Sequence, residues 1–358
     1  MRQIDNQQPD EMIKTGQRKY YTLLGSILAM VLVFFLCDLL IGSVKIPLRN
    51  VISILTGSSV SQPEWNVILF DFRIPKAVTA LLAGMALSAA GLQMQTIFRN
   101  PLAGPYVLGI SAGASFGVAL LVLGFSSYFS LSLLGLAGNF MVVIAAWLGA
   151  GLILLLIFSV SLRVKDIMTI LVLGIMFGSV TSAIVSILQY FSNESMLKSF
   201  IVWTMGSLGG VSKVQLFVLV PCIVVGLLIA LASSKILNAL LLGENYAQSL
   251  GLNVKRARFL VFFSTSLLAG SITAFCGPIG FIDIAVPHIA RLVFKTADHR
   301  FLMIATMLIG AVVMLFSDMI SQMPGMGNTL PINSVTALVG IPIIIWLVIK
   351  NQKISQLT

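Results

Sequence analysis

Few residues of this sequence have the types and spacing that could do chemistry. Two histidines, His288 and His299, lie outside any Cys/His cluster, and no paired carboxylates or nucleophile–base pair accompany them, so the sequence indicates no catalytic centre. For His288 a hydrogen-bonded packing role is the ordinary interpretation, and a role in a pathway or gate is the alternative. The three cysteines lack metal-ligand spacing, and we expect packing residues without a disulfide: Cys37, Cys222 and Cys276.

Ionisable side chains inside apolar stretches are the next candidates, because such residues are functional by default when the stretch crosses a membrane. Asp38, Asp318 and Arg291 fall near the ends of apolar stretches, and Asp283 is the most interior. Ion-coupled secondary transporters usually show a buried acidic relay, and one interior carboxylate is not a relay. No G-x-x-x-x-G-K-[ST] loop occurs, so any energy from ATP must come from a separate chain.

Apolar helices must position these residues. The 358 residues are 58% hydrophobic and 9% charged, whereas a soluble domain is about 25% charged. The net charge of +10 does not indicate nucleic acid, because the basic residues sit in small groups between apolar stretches. The composition therefore predicts an all-α integral membrane protein.

A spanning helix needs about 20 mostly apolar residues, and ten segments qualify. The predicted spans are 20–42, 74–97, 105–124, 139–160, 167–190, 214–233, 259–277, 279–294, 301–321 and 333–349. The apolar run after the polar residues 1–19 is too long for a secretory signal. We therefore expect a cytoplasmic tail over 1–19, one transmembrane domain over 20–350 and a second cytoplasmic tail over 351–358.

The distribution of basic residues gives the orientation. With the N-terminus in the cytoplasm and ten spans, 16 of the 22 lysines and arginines fall on the inner side and 6 on the outer side. This is the bias that the positive-inside rule expects. It predicts both termini and residues 235–258 in the cytoplasm, and residues 191–213 outside.

An internal repeat relates the second and seventh predicted spans. Five positions recur at one offset of 186 residues. The first set is Leu82, Ala83, Gly84, Gly91 and Pro101, and the second is Leu268, Ala269, Gly270, Gly277 and Pro287. Because five spans separate the copies, they would cross the membrane in opposite directions. Such inverted repeats are common in transporters.

The longest predicted cytoplasmic connection, residues 235–258, is too polar to span. Leu242, Tyr246, Ala247 and Leu250 recur at helical spacing, and Gly243 and Gly251 punctuate the segment. This pattern predicts a short helix pair within Leu240–Asn253. A docking element that receives force from a partner is the functional interpretation, and a simple interfacial helix is the alternative.

Four motifs occur in order along the chain. The first motif runs from Arg73-Ile-Pro-Lys76 through Leu82-Ala-Gly84 to Asn100-Pro-Leu-Ala103 and Leu108-Gly-Ile-Ser-Ala-Gly113, and the second is Leu242-Gly-Glu244 with Ala247 and Leu250-Gly251. The third runs from Gly277-Pro-Ile-Gly-Phe281 through Val286-Pro-His-Ile289 and Arg291 to Asp298-His-Arg300. The fourth is Thr336-Ala-Leu-Val-Gly340 with Pro342. In these motifs the sequence resembles the FecCD family, the iron-chelate and vitamin B12 permeases of bacterial ABC importers. The resemblance covers residues 20–350.

The resemblance implies a permease subunit without its own ATPase site, in the bacterial inner membrane. It implies a second permease copy (the same chain or a close homologue), two ATP-binding subunits on the cytoplasmic face and a substrate-binding protein outside, with the substrate path along the dimer interface. ATP and magnesium would belong to the ATP-binding subunits, and this chain would bind no cofactor or metal.

The resemblance also assigns expected roles to residues of this chain. The expected ATPase-coupling residues are Leu242, Gly243, Glu244, Ala247, Leu250 and Gly251. The expected cytoplasmic gate and pathway residues are Asp166, Ile167, Met168, Gly174 and Gly178. The expected docking residues for the binding protein are Arg73 and Lys76.

Two positions depart from the family pattern. Asp283 stands where the family usually has glycine, and Gln322 stands where many members have a basic residue, which puts one expected salt bridge to the binding protein in doubt. The sequence does not assign a role to either. It favours a ferric siderophore or other iron complex as the substrate, with cobalamin or haem as alternatives. An ion-coupled secondary transporter is the alternative of another class.

Overall fold

The computed structural model describes residues 7–42, 44–57, 62–124, 136–164, 166–322 and 329–355. Within these ranges the chain is built from helices and the turns between them. The helices are α1 Gln7–Leu40, α2 Leu48–Leu55, α3 Glu64–Val67, α4 Ile74–Ile97, α5 Ile110–Ala119, α6 Leu136–Ser161, α7 Ile167–Phe191, α8 Glu194–Thr204, α9 Lys213–Ala232, α10 Ser234–Leu241, α11 Glu244–Ser249, α12 Val254–Cys276, α13 Ile282–Phe294, α14 His299–Ser321 and α15 Ile332–Ser355.

Each of the ten predicted spans overlaps one of these helices, which confirms an all-helical membrane protein. Seven helical stretches of the described chain are long and apolar enough to cross a membrane: Tyr20–Leu40, Glu64–Ile97, Phe140–Ser161, Ile167–Phe191, Lys213–Ala232, Val254–Cys276 and His299–Ser321. Ile110–Gly124 and Ile332–Trp346 are shorter apolar helices. The number of membrane crossings and the division into a domain and two tails stay predictions.

Several boundaries differ from the predicted ones for local reasons. α1 begins at Gln7, so much of the expected tail 1–19 continues the first helix. The third predicted span is interrupted at Gly109, whose φ of 73° separates a 3₁₀ turn at Pro105–Leu108 from α5. Gly277, with φ 76°, ends α12. The short α13 then begins at Ile282, which accounts for the weak signal of the eighth predicted span.

α4 is the central helix of the bundle. It is apolar on all sides, and such a helix is expected to be buried. Every residue from Ala86 to Ile97 is buried. α4 packs against α9, α12, α13 and α14. On its N-terminal side α3 runs into α4 through a π-helical turn, Ile68–Arg73, so Glu64–Ile97 forms one long helix.

Small residues allow close contacts between the helices. A Cβ atom added to Gly84 of α4 would overlap the carbonyl oxygen of Gly310 in α14, and the converse also holds. Beside this contact the Ser88 hydroxyl donates to the carbonyl oxygen of Thr306, at 3.0 Å. α12 packs against α6 in the same bundle. Such backbone proximity is typical of helices that associate in a membrane.

A second, small apolar cluster lies beside the main core, where α1 ends. It joins the end of α1, the short helix α2 and the π-helical turn. Its buried members are Leu39, Ile46, Val51, Ile54, Leu69 and Ala77. The sequence did not predict α2, α3 or α8, because each is shorter than a span and carries polar residues between its apolar ones.

Candidate functional site

The coupling segment, residues 235–258, folds as two short helices followed by the start of α12. α10 follows α9 directly from Ser234, earlier than the predicted helix pair begins. Gly243 and Gly251 flank α11 with φ of 113° and 84°. Positive φ is strained for residues with a side chain, so glycine suits both breaks. Arg258, expected in the connection, belongs to α12 instead.

The apolar residues of the coupling segment divide into two sets. Ala247 is fully buried against the chain. Leu242, Tyr246 and Leu250 are 64%, 50% and 62% exposed. Three large apolar side chains at one short segment form a surface that the described part of the chain does not cover.

Glu244 forms an ion pair with Arg258. The guanidinium donates from Nε to Oε1 at 2.9 Å and from Nη2 to Oε2 at 2.6 Å. Arg258 is only 4% exposed. Glu244, expected to act in ATPase coupling, is the first residue of α11 and contacts its own chain.

Arg99 is a functional candidate that sequence reasoning missed. It follows the last turn of α4 with φ of 47°, in the left-handed conformation that usually selects glycine. Its Nη2 atom donates to the carbonyl oxygen of Leu240 at 3.3 Å. Its guanidinium also lies against Gly243, where an added Cβ would be 2.5 Å from Nη2. Arg99 therefore links the end of α4 to the break between α10 and α11.

The expected gate residues begin α7. The Asp166 carboxylate accepts hydrogen bonds from the Thr169 amide at 2.9 Å, the Thr169 hydroxyl at 2.7 Å and the Met168 amide at 3.3 Å. These bonds, chiefly those from Thr169, lower the pKa of Asp166. Asp166 is thus the N-cap of α7. Lys165, at the start of the expected gate loop, lies outside the described residues.

Gly174 and Gly178 lie where α7 meets the turn before α5. A Cβ atom added to Gly174 would be 2.9 Å from the carbonyl oxygen of Val107, and one added to Gly178 would be 3.4 Å from the Cα of Gly109. The two glycines therefore allow a close approach of backbones. Toward the other end of α7, hydroxyl-bearing residues of α5 and α7 line a cavity of about 360 Å³ that includes Ser111, Ser115, Ser182 and Ser186.

The structure brings three of the six expected coupling residues close to two of the five expected gate residues. A cavity of about 450 Å³ lies between the coupling segment and the start of α7. Asp166 and Ile167 form one side of it, and Leu242, Gly243 and Glu244 form the other. Its lining does not include the other expected residues, which are Ala247, Leu250, Gly251, Met168, Gly174 and Gly178. Two sets of residues far apart in sequence thus share one cleft, with Arg99 beside them.

The two histidines differ in their surroundings. His299 is buried, with Nε2 2.7 Å from the Thr96 hydroxyl and Nδ1 2.8 Å from Oδ1 of Asn238. It therefore connects α14, α4 and α10. His288 is half-buried, and its Nε2 lies 2.9 Å from the carbonyl oxygen of Pro101. These contacts fit the packing interpretation of His288 and add a linking role for His299 that the sequence did not indicate.

The expected docking residues are occupied within the chain. Arg73, 7% exposed, donates to the carbonyl oxygens of Leu39 at 2.7 Å and of Val44 near the end of α1. Lys76 lies 3.1 Å from Oδ1 of Asp318. Their role in docking stays a prediction, and each would have to release an internal partner to serve it.

The two departures from the family pattern also have internal contacts. Gln322 donates from Nε2 to Asp318 at 2.8 Å and to Asp38 at 3.2 Å, so it bridges two buried carboxylates. Asp283 is buried in the first turn of α13. A Cβ atom added to Gly104 would overlap its carboxylate, so that glycine leaves the space for the aspartate.

Comparisons with known proteins agree with these observations. The chain is 31% identical to the hemin transport permease HmuU of Yersinia pestis, over 92% of this chain and 96% of that protein. It is 35% identical to the vitamin B12 import permease BtuC of Citrobacter koseri, over 87% and 93%. A transporter assigned to the metal-chelate ABC type, solved in an inward-facing conformation, matches with a TM-score of 0.80 and 30% identity, over 92% and 99%.

A more distant solved structure, PsaBC from Streptococcus pneumoniae in complex with Fab, shares the fold, with a TM-score of 0.52 and 16% identity. The model of the FecCD transport family matches residues 29–350, about nine-tenths of the chain. These matches confirm a permease subunit of an ABC transporter, which is a transport subunit and not an ATPase. The chain belongs to the FecCD transport family.

Proposed function

We propose that this permease couples ATP hydrolysis on separate subunits to inward movement of a metal chelate across the cytoplasmic membrane. The observation that carries the proposal is the cleft between the coupling segment and the start of α7. The coupling segment presents exposed Leu242 and Tyr246 beside Asp166 and Ile167. Leu250 is exposed on the same segment but does not line the cleft. A partner that moves the coupling segment would therefore act next to the expected gate.

The exposed apolar surface of the coupling segment fits an ATP-binding subunit. The chain has no phosphate-binding loop, so ATP and magnesium would be bound by that subunit. Exposed apolar patches with polar rims mark interaction sites. We propose two such subunits, a second permease copy identical or closely homologous to this chain, and a substrate-binding protein on the outer face.

The proposed membrane arrangement has ten crossings, both termini in the cytoplasm and an inverted repeat. The packing supports the repeat: α4 of the first half packs on α14 of the second half, and α12 of the second half packs on α6 of the first. The positions that match in sequence lie on α4 and α12 or just beyond them, except Pro287, which lies inside α13. A bacterial inner membrane fits this arrangement, and relatives also occur in the archaeon Methanocaldococcus jannaschii.

For the substrate, we propose a ferric siderophore or another iron complex. The named relatives carry hemin or vitamin B12, so cobalamin and haem are the competing substrates. The described residues that line the cavity between α5 and α7 combine hydroxyl and amide groups with the aromatic rings of Tyr106 and Phe200, and none of them is charged. Such a lining offers hydrogen bonds and suits a bulky chelate whose metal charge is already compensated.

A reconstituted complex in lipid vesicles tests the proposal. We would measure uptake of a radiolabelled ferric hydroxamate chelate, hemin and cyanocobalamin with ATP and with the binding protein present. We expect uptake of the iron chelate that stops when the ATPase site of the partner is mutated and that survives collapse of the ion gradient. Uptake that follows the gradient and ignores the ATPase mutation would instead identify a secondary transporter.

A further inference from the structure

Arg258 contacts three elements of the cytoplasmic side. It belongs to the first turns of α12 and pairs with Glu244 at the start of α11 through two hydrogen bonds. Its remaining terminal nitrogen, Nη1, donates to the carbonyl oxygen of Val164 at 3.3 Å. Val164 lies between the end of α6 and Asp166, the N-cap of α7. One side chain therefore reaches from the coupling segment to the residues that lead into the expected gate.

The chemistry of the guanidinium makes this arrangement specific. Its donors form a rigid planar fork, so one edge can hold a carboxylate while the remaining terminal nitrogen holds a second acceptor. A lysine ammonium is a single point charge on a flexible stem and does not reproduce both contacts in fixed geometry. Because Arg258 is buried, separation from either acceptor would leave a buried charge with a missing partner, which is strongly unfavourable.

Two other side-chain contacts of the cytoplasmic side involve α10 and not α11. Asn238 of α10 contacts His299 of α14, and Arg99 at the end of α4 contacts Leu240. These contacts tie α10 to the central helices. α11 is separated from α10 by Gly243 at positive φ. Besides the buried Ala247, the ion pair of Glu244 with Arg258 attaches α11 to α12.

We infer that Arg258 is a positioning residue that makes α11 and the start of α7 move as one unit when a partner displaces α11. This inference rests on the proposed function, because it assumes that α11 receives the displacement. It identifies the contact by which that displacement reaches the gate. The ion pair with Glu244 transmits it from α11, and the hydrogen bond to Val164 passes it to the segment before α7.

Distance measurements between spin labels test the inference in the assembled complex. Labels at Gln248→Cys in α11 and Met168→Cys in α7 report whether the two helices move together; a second pair, Gln248→Cys and Arg300→Cys, reports whether α11 moves against α14. All three side chains are exposed, and the native cysteines are replaced first. Pulsed electron–electron double resonance is recorded without nucleotide and with ATP and magnesium.

In the unsubstituted permease we expect ATP to shift the 248–300 distance and to leave the 248–168 distance unchanged. With Arg258→Lys we expect ATP to shift both distances, since α11 then moves without α7. Arg256→Lys, an exposed neighbour on the same helix, should behave as the unsubstituted chain. A 248–168 distance that shifts in the unsubstituted chain, or stays constant in Arg258→Lys, overturns the inference.

Two further outcomes are distinct. If the 248–300 distance never responds to ATP, α11 receives no displacement, and the proposed coupling function fails together with the inference. If Arg258→Lys does not assemble, Glu244→Gln takes its place. Glutamine keeps the shape of the side chain and one acceptor oxygen but removes the negative charge that pairs with Arg258. We expect the same loss of joint movement in that variant, and a constant 248–168 distance there contradicts the inference.

Discussion

Nζ of Lys76 lies 3.1 Å from Oδ1 of Asp318, and the carboxylate of that pair is almost fully buried. The pair joins the first turn of α4 to the last turn of α14. Gln322 extends it to Asp38 of α1. A cation that the sequence suggested for an external partner thus holds three helices of its own chain together.

The first prediction concerns this pair. Lys76→Ala should destabilise the protein by about 3 kcal/mol or more, because it leaves the buried Asp318 carboxylate without its cation. The measurement is thermal unfolding in detergent. Lys213→Ala is the matched control: Lys213 pairs with Asp71 at 2.5 Å, but both side chains are about half exposed, so about 0–1 kcal/mol is expected. Equal losses in the two variants would contradict the assignment.

His299 supplies the second prediction. His299→Ala removes one side-chain hydrogen bond from Thr96 and one from Asn238 in a buried site. Thr96 still donates to Leu92, and Asn238 still accepts from the amide of residue 299. A hydrogen bond contributes about 0.5–1.5 kcal/mol net, so loss of both bonds together with the buried ring should lower the melting temperature clearly. His288→Ala is the control, since His288 is half-buried and makes one such contact, to Pro101. A smaller effect at His299 than at His288 would show that the contacts of His299 carry no stability.

Gly251 supplies the third prediction. A Cβ atom there would meet nothing within 4 Å, so a larger residue would not be excluded by crowding. The constraint is the backbone, because Gly251 has a φ of 84°. Gly251→Ala should destabilise the local fold by about 1–2 kcal/mol, the strain of the left-handed conformation. Gly251→Asn should cost less, because asparagine tolerates that conformation better. Partner-dependent ATPase activity and assembly check both, and an identical outcome for alanine and asparagine would exclude backbone strain as the cause.

The fourth prediction concerns the N-cap of α7. Asp166→Ala should increase hydrogen exchange at the amides of Met168 and Thr169, while Asp166→Asn should largely preserve protection, since both caps accept hydrogen bonds. Because these bonds lower the pKa of Asp166 in the folded state, its contribution to stability is present at neutral pH and is lost as the pH falls through that lowered pKa. Equal protection in all three chains at neutral pH would count against the cap.

The fifth prediction concerns orientation. Gln248 is exposed on α11, and the distribution of basic residues places it in the cytoplasm. In a chain lacking Cys37, Cys222 and Cys276, Gln248→Cys should react with an impermeant thiol reagent only after the cells are opened. Ser195→Cys, on the exposed surface of α8, serves as the external control and should react in intact cells. Labelling of position 248 in intact cells would reverse the topology.

The long helices were predictable from the sequence because membrane segments carry their signal in hydropathy alone. The helix ends at Gly277 and Gly243 were also predictable, because glycine readily adopts the positive φ that both positions have. The burial of Arg73 was not predictable from the sequence. A cation beside a predicted span looks like an interfacial anchor, and only the fold shows that the carbonyl oxygens of Leu39 and Val44 surround its guanidinium.

The sequence predicted which segments form the candidate site, but it did not predict the contacts between those segments. The coupling and gate residues were found separately, and nothing in their spacing indicates that they share a cleft. Glu244 and Arg258 are both charged residues of one polar stretch, so their pairing resembles any surface pair in sequence. Arg99 gave a misleading signal, because its left-handed backbone occupies a position where glycine is the expected residue.

At the π-helical turn Ile68–Arg73, the number of residues determines the structure as much as their types do. A π turn holds more residues than an α turn, so deleting one residue there would restore a regular helix. The extra residue lets both flanking segments keep their faces, so that Leu69 is buried against Leu39 and Val51 while α4 enters the bundle. Deleting one residue within the turn would keep these faces, whereas deleting one residue from the regular part of α4 would rotate everything before it by about 100° around the helix axis. A single-codon deletion would therefore be tolerated in the π-helical turn and would separate α2 and the end of α1 from the bundle when it falls a few residues later.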